Sequence, residues 1–232
     1  QQQISYNMAL DITAYFRDIR DLAGTRSEEI TLFGGSASYN RLENSDFAYV
    51  RGLVLSLSMI ETNGFSASLD YTFQIAKGSA SDPQQARNAI AGGSLPEIQL
   101  TPLDWDQRNT VNMSLAYDRA NWGISGIGQF GSVLPYTPLS TEDISSLVLN
   151  SGKKPLTLNV DLKGYFIPRD GLRLFIRAEN IFDRLNPYTV YDDSGVADFT
   201  RWENIAKSQN TGEPVNSISK WFLNETFYSN PR

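Results

Sequence analysis

The residues most able to do chemistry in this sequence are two carboxylate pairs, Asp104 with Asp106 and Asp192 with Asp193. Carboxylates this close could hold a loop calcium ion through oxygen ligands, or divide acid and base roles between them. The plainer alternative is a set of solvated loop acids and turn formers, and that is the expectation. The chain has no histidine and no cysteine. The commonest metal ligand, the commonest neutral-pH base and the thiolate nucleophile are therefore missing. A serine or threonine nucleophile would need a lysine or carboxylate base, and no spacing recommends one. Gly34-Gly35 and Gly92-Gly93 lack a strand–loop–helix setting and read as loop punctuation rather than phosphate cradles. No catalytic residue, metal or cofactor is predicted, so the chain is not expected to be an enzyme.

Composition narrows the class further. Twenty basic residues against 26 acidic ones give no basic surface for nucleic acid. The absence of cysteine suits an oxidising compartment, where stray thiols are a liability. Gln1-Gln2-Gln3-Ile4 has neither a basic nor an apolar leader region, so no signal peptide is expected. No run of about 18 apolar residues occurs, which excludes a transmembrane helix. A transmembrane barrel would escape that test, because its alternating strands average to neutral hydropathy.

The elements available to position side chains are strands of period two. Ile4, Tyr6, Met8, Leu10, Ile12, Ala14 and Phe16 share one parity, while Gln3, Ser5, Asn7, Asp11, Thr13 and Arg17 hold the other. Successive strand side chains point to opposite faces, so this is one apolar and one polar face. The same alternation carries Leu53–Met59, Phe65–Ile75, Val111–Tyr117, Leu156–Phe166 and Leu172–Ala178. Trp122, Ile124 and Phe130 define a further strand, blurred by glycines, Ile127 and Val133. The last strand is expected to run on toward Tyr191.

Connections alternate between short and long. Thr62-Asn63-Gly64, Asp118 to Asn121 and Ile167 to Gly171 are tight, whereas about 18–46, 77–109, 135–154 and 192 onward are long. Parity restricts the hairpins, because paired residues must face the same way. Asn63-Gly64 should sit in a three-residue loop with Gly64 left-handed. A four-residue loop near residue 120 would pair Tyr117 with Trp122, and a five-residue loop near Arg169 would pair Phe166 with Leu172. Short helices are expected from Asp82-Pro83-Gln84 to Gly92-Gly93, from Asp198 to Lys207 and from Ser217 to Glu225, the first on an N-cap, a first-turn proline and a glycine stop.

Short turns at one end and long loops at the other are the layout of an outer-membrane barrel. Strands of about ten residues also match a tilted bilayer crossing. A soluble sandwich or lipocalin-like barrel alternates too, but the polar faces here carry charged and amide groups along whole strands. Tyr15, Phe16, Tyr49, Phe73, Trp122, Phe130 and Phe166 are candidates for an interfacial aromatic girdle. The fold expected is all-β: about seven strands of an incomplete antiparallel transmembrane barrel, with short periplasmic turns and long extracellular loops. Seven is odd, and bare edges are not tolerated in lipid, so more chain or partner chains are expected to complete the wall.

Specific runs bear a family resemblance. Leu172-Arg173-Leu174-Phe175-Ile176-Arg177-Ala178-Glu179-Asn180-Ile181-Phe182-Asp183 resembles the penultimate-strand motif of TonB-dependent receptors, and Tyr188-Thr189-Val190-Tyr191-Asp192-Asp193-Ser194-Gly195 is similar to the segment that succeeds that motif in the family. Leu103-Asp104-Trp105-Asp106-Gln107-Arg108-Asn109 resembles the family's Asp-x-Arg-His strand entry, with Asn109 where His is usual. Gly152-Lys153-Lys154-Pro155 ahead of Asn159-Val160-Asp161-Leu162, and Trp221-Phe222 ahead of Phe227-Tyr228, also fit. The resemblance implies that residues 1–232 are a C-terminal portion of such a barrel, with the plug domain and closing strand outside it.

It further implies an outer-membrane location in a Gram-negative-type bacterium and a part in TonB-dependent nutrient uptake, the substrate unspecified. The implied partners are outer-membrane lipid, the rest of the barrel and the plug (in the same or another chain), and the TonB complex reached through the plug. Asp11, Thr13, Asp70, Gln74, Asn112, Asp118, Asn159, Asp161, Arg173, Arg177 and Glu179 would face the lumen. Trp202 and Trp221 would contact ligand from the loops or else pack loop cores. Lys153-Lys154 would touch lipopolysaccharide phosphates or stay solvated. Two other classes compete: a structural barrel subunit without its own transport, and a soluble β-rich binding module.

Overall fold

A computed structural model describes residues 2–35, 37–79, 100–138, 149–198, 200 and 227. The strands are β1 (Gln2–Ser5), β2 (Met8–Leu32), β3 (Ala37–Thr62), β4 (Phe65–Gly78), β5 (Thr101–Pro102), β6 (Asn109–Asp118), β7 (Trp122–Gly131), β8 (Pro135–Tyr136), β9 (Gly152–Lys153), β10 (Thr157–Arg169) and β11 (Leu172–Ala178). One antiparallel nine-stranded sheet runs β1-β2-β3-β4-β6-β7-β10-β11, with β5 attached to β4, and β8 pairs β9 separately. Neighbours in the chain are neighbours in the sheet, an up-and-down meander whose two edges stay open among the described residues.

Register carries the face pattern from strand to strand. Ile12 opposes Leu55, Leu55 opposes Tyr71, Tyr71 opposes Val111, Val111 opposes Phe130 and Phe130 opposes Leu158. One face is therefore apolar across the whole sheet. No second layer of the described chain covers it: Met113 and Leu115 are each 40% exposed, Ile124 49% and Leu174 54%. From Phe65 to Ile75 on β4 the apolar band spans about 33 Å of strand, or about 25 Å of height at a tilt near 40°. That height matches the hydrocarbon band of an outer-membrane barrel.

The turns correct the register expectations by a common device. Asn63 (φ 55°) and Gly64 (φ 87°) form a two-residue turn between Thr62 and Phe65, the left-handed pair that suits hairpin twist. Odd-with-odd pairing is then restored by a bulge, where Ile60 and Glu61 oppose Ser66 between the Thr62–Phe65 and Met59–Ala67 pairs. The turn at Asp170-Gly171 repeats this, so Phe166 opposes Leu174 rather than Leu172. Near residue 120 the loop is even-numbered as predicted, but Tyr117 pairs with Ile124, not Trp122. The Tyr117 and Trp122 rings still meet diagonally at 5.6 Å.

Two larger corrections concern β2. Residues 3–17 are not one strand, because a turn at Tyr6-Asn7 separates β1 from β2. Ser5 opposes Met8 across the turn, and a bulge at Ile4 then sets Gln3 opposite Ala9 and Gln2 opposite Leu10, so even residues share a face again beyond the bulge. Nor is 18–46 a loop. β2 and β3 extend as a hairpin arm past the end of β4, where Ala48 pairs with Gly78, to a 3-10 turn at Phe33–Gly35. The arm reaches about 35 Å beyond the rest of the sheet.

At the opposite extreme, β11 stops at Ala178 instead of continuing toward Tyr191. The helix expected over 82–93 lies outside the described residues, as do nearly all of those expected over 198–207 and 217–225.

Candidate functional site: the polar face

Parity places Asp70, Gln74, Asp161, Arg173, Arg177 and Glu179 together on the face opposite the apolar band. A continuous row crosses the sheet there, Asp11–Ser56–Asp70–Asn112–Gln129–Asn159. Neighbours within and between rows bond laterally: Ser56 Oγ donates to Asp70 Oδ1 at 2.5 Å, and the Ser68 and Ser114 hydroxyls hydrogen-bond each other at 2.7 Å. Arg177 and Glu179 form an exposed ion pair at 2.9 Å, a contact of little stabilising worth. Tyr15, expected in the girdle, points to this face instead. Its ring lies over Gly52 and its hydroxyl donates to Gln74 Oε1 at 3.2 Å. Tyr165 does the same over Gly123, donating to Asp118 Oδ1 at 2.7 Å with Arg173 stacked 3.8 Å from its ring centre.

One member of each carboxylate pair, Asp106 and Asp193, makes hydrogen bonds that hold the chain in place. Asp106 is 3% exposed. Its Oδ1 accepts the Ala76 N–H at 2.7 Å and its Oδ2 accepts from Arg108 Nε at 2.7 Å. Between β5 and β6 the chain leaves the β4 ladder, and this carboxylate replaces the missing backbone acceptor. Leu103, 2% exposed, is tucked against Ala48, Val50 and Ala76 in the same detour, with Tyr15 and Ile19 packed on them. Asp104 lies exposed beside it.

Asp192 and Asp193 lie in a turn whose Gly195 N–H donates to Tyr191 O at 2.8 Å, and Asp193 Oδ2 accepts from Thr200 Oγ1 at 3.0 Å. Desolvation, then the Asp193 charge, push the Asp192 carboxyl above the ordinary carboxylate range, and Lys154 draws it back down. Among the described residues no group of three metal-ligating side chains exists.

Two further side chains act as strand surrogates, and sequence reasoning missed both roles. Above the end of β11, the Asn186 carboxamide accepts the Leu158 N–H and donates to the Leu158 O, each at 2.9 Å. It thereby mimics a strand residue and closes the free edge of β10. Asp161 Oδ1 accepts the Asn180 N–H at 2.8 Å as Asn180 turns left-handed (φ 49°). The Asn180 side chain then pairs with the backbone of Arg184 in both directions. Asn180 and Asn186, past the end of the last alternating run, are the only trace of this in the sequence; Asp161 lies within its run.

The rows enclose an open hollow of about 410 Å³ lined by Gln107, Thr110, Asn112, Gln129, Thr157 and Asn159. Every one of these groups is neutral, and Asn159 Oδ1 is buried without a hydrogen-bond partner among the described residues. Such a surface can hydrogen-bond polar matter in both directions; it holds nothing that would transfer a proton or anchor a metal. Trp202 and Trp221 lie outside the described residues.

No family model matches the chain, and no curated protein matches it in sequence. Solved structures do match in fold. The outer membrane transporter YddB from Escherichia coli superposes at a TM-score of 0.57 with 13% identity, over 87% of this chain and 29% of that one. The ferric-catecholate import receptor Fiu from Escherichia coli K12 gives 0.52 with 12% identity, over 79% and 22%. The chain thus spans less than a third of the length of either. Meander, register and two-faced sheet together give this chain the fold of an outer-membrane β-barrel wall, as in these two structures.

Proposed function

We propose that the chain supplies barrel wall and extracellular loops to an outer-membrane receptor that imports a nutrient in a TonB-dependent way. The observation that carries this is the unlayered sheet. A soluble module would bury a band of leucine, phenylalanine and tryptophan this wide, because so large an exposed apolar patch is not kept in water. Lipid is the solvent that suits one face, and a watery or plugged lumen suits the other.

In this reading Asp70, Gln74, Asp161, Arg173, Arg177 and Glu179 line the lumen and hydrogen-bond the plug or the permeating solute. The long connections face outward from the cell, where Trp202 and Trp221 contact ligand. The remaining wall, the plug and, through it, the TonB complex are the partners. No chemical step falls to this chain.

The lack of cysteine in these residues suits a single-label test in the full receptor, with any cysteine outside them replaced by serine. A fluorophore on Leu69→Cys should be quenched by lipid-borne nitroxides, while one on Asp70→Cys should not. Equal quenching, or recovery of the receptor without detergent, would end the membrane-wall reading. Transport is tested separately, by growth on limiting iron chelates, cobalamin or oligosaccharides. At least one defect from deleting the receptor gene must be reproduced by deleting TonB.

A further inference from the structure

The apolar face is not uniformly covered. β7 places Gly126 and Gly128 outward where the neighbouring strands place Leu115 and Leu162, and Met113 and Val160. β10 adds an outward Gly164 opposite Ile124. At Gly126 the missing side chain leaves a hollow of about 250 Å³, lined also by Phe65, Leu115, Tyr117, Ile124 and Leu162. It lies toward the short-turn end of the sheet, the periplasmic end in the proposed orientation.

Two cations belong to the turns at this end of the sheet. Arg119 stacks on Tyr117, its Cζ 4.8 Å from the ring centre. The bulge at Ile167-Pro168 turns Arg169 to the same face as Leu172. The Ile167 N–H, donating to Asn121 O at 2.7 Å, then brings this strand end against the turn that carries Arg119. Neither arginine makes an ion pair among the described residues, and the nearby Asp118 is engaged by Tyr165 on the other face.

We propose that this notch is a lipid site. It seats an acyl chain of an anionic phospholipid of the periplasmic leaflet, with the phosphate held between Arg119 and Arg169. The proposal rests on the reading that the apolar face meets the bilayer, and goes beyond it by naming a place and a headgroup charge. A slot in a lipid-facing wall is filled by acyl chain, the only solvent there. Unpaired guanidinium groups at the interface favour a phosphate, which they can grip by two parallel hydrogen bonds. Charge at this depth selects among headgroups at about a fivefold preference per arginine, so the pair should favour phosphatidylglycerol over phosphatidylcholine by about 30-fold.

The test is native mass spectrometry of the detergent-purified full receptor incubated with phosphatidylglycerol or phosphatidylcholine. The wild type should retain one phosphatidylglycerol that a Gly126→Leu/Gly128→Leu variant does not. A Cβ at Gly126 meets the flexible tip of Leu162 at 3.0 Å and the Asp161 carbonyl oxygen at 3.6 Å, and one at Gly128 meets Met113 Cε at 3.5 Å, so only the Leu162 tip must give way. An Arg119→Gln/Arg169→Gln variant should bind both lipids alike. Equal retention of phosphatidylglycerol by the wild type and both variants, in a receptor still extracted only by detergent, overturns the notch while leaving the wall reading intact. Release of the receptor without detergent overturns both.

Discussion

Asp106 shows how one residue can be structural where its type suggests chemistry. It is buried, yet both its oxygens are satisfied, by a ladder N–H and by Arg108. Replacing it with alanine orphans the Ala76 N–H and leaves Arg108 unpaired, at a cost of about 2–3 kcal/mol. Urea unfolding of the refolded receptor should show the midpoint falling, with Asp106→Asn intermediate.

Asp192 presents the opposite case. Its carboxyl is raised in the folded chain by desolvation and by Asp193, so folding favours its protonated form. Stability attributable to Asp192 therefore falls as pH rises from the ordinary carboxylate value through the raised one, and the penalty persists at neutral pH. Asp192→Asn should stabilise the loop at neutral pH and lose that advantage below the ordinary value. Hydrogen exchange of the Gly195 N–H across that range would measure it.

At the scale of the element, the hairpin turns look alike but are not equivalent. Gly64 and Gly171 both sit at positive φ, 87° and 81°. A Cβ on Gly64 would strike the carbonyl of Asp118 in the next hairpin, whereas one on Gly171 meets nothing within 4 Å. Gly171→Ala should cost only the left-handed strain, about 1 kcal/mol. Gly64→Ala should cost clearly more, because it must also displace a backbone that accepts no compromise in register. Parallel refolding yields of the two variants would separate the effects.

The same logic divides glycines by face. Gly52 and Gly123 are roofed by Tyr15 and Tyr165, an aromatic covering that protects and pins a strand with no side chain of its own. Filling Gly123 should therefore disturb the wall more than filling Gly128.

For the whole molecule, the arm of β2 and β3 is separable from the wall. Past Ala48 it pairs with no other strand of the main sheet among the described residues, although Phe47 and Asp46 still bond Ser79, and its ladder slips at three places between Ile19 and Glu29. The stability of the wall comes from the pairings below, so excising residues 22–45, which spares the Asp46–Ser79 hydrogen bond, and closing with a short turn should leave detergent-resistant folding unchanged. Loss of folding in that variant would show that the arm contributes to the barrel itself. Any loss confined to uptake would place it in ligand capture.

The sequence alone determined the two-faced strands, the alternation of short and long connections, and hence the class of fold, because lipid on one side and water on the other impose a period of two that no tertiary contact is needed to reveal. Parity likewise set Asp70, Asn112 and Asp161 on one face, opposite the apolar band. The Tyr6-Asn7 turn stayed hidden because its hairpin preserves parity, so apolar even positions continue across it. The arm stayed hidden for a different reason: with water on both sides, neither face is selected to be apolar, and only the backbone ladder marks its strands. The surrogate bonds of Asp106, Asp161 and Asn186 were decided by tertiary structure, since a side chain can replace a strand only where the folded sheet has left a strand end unpaired.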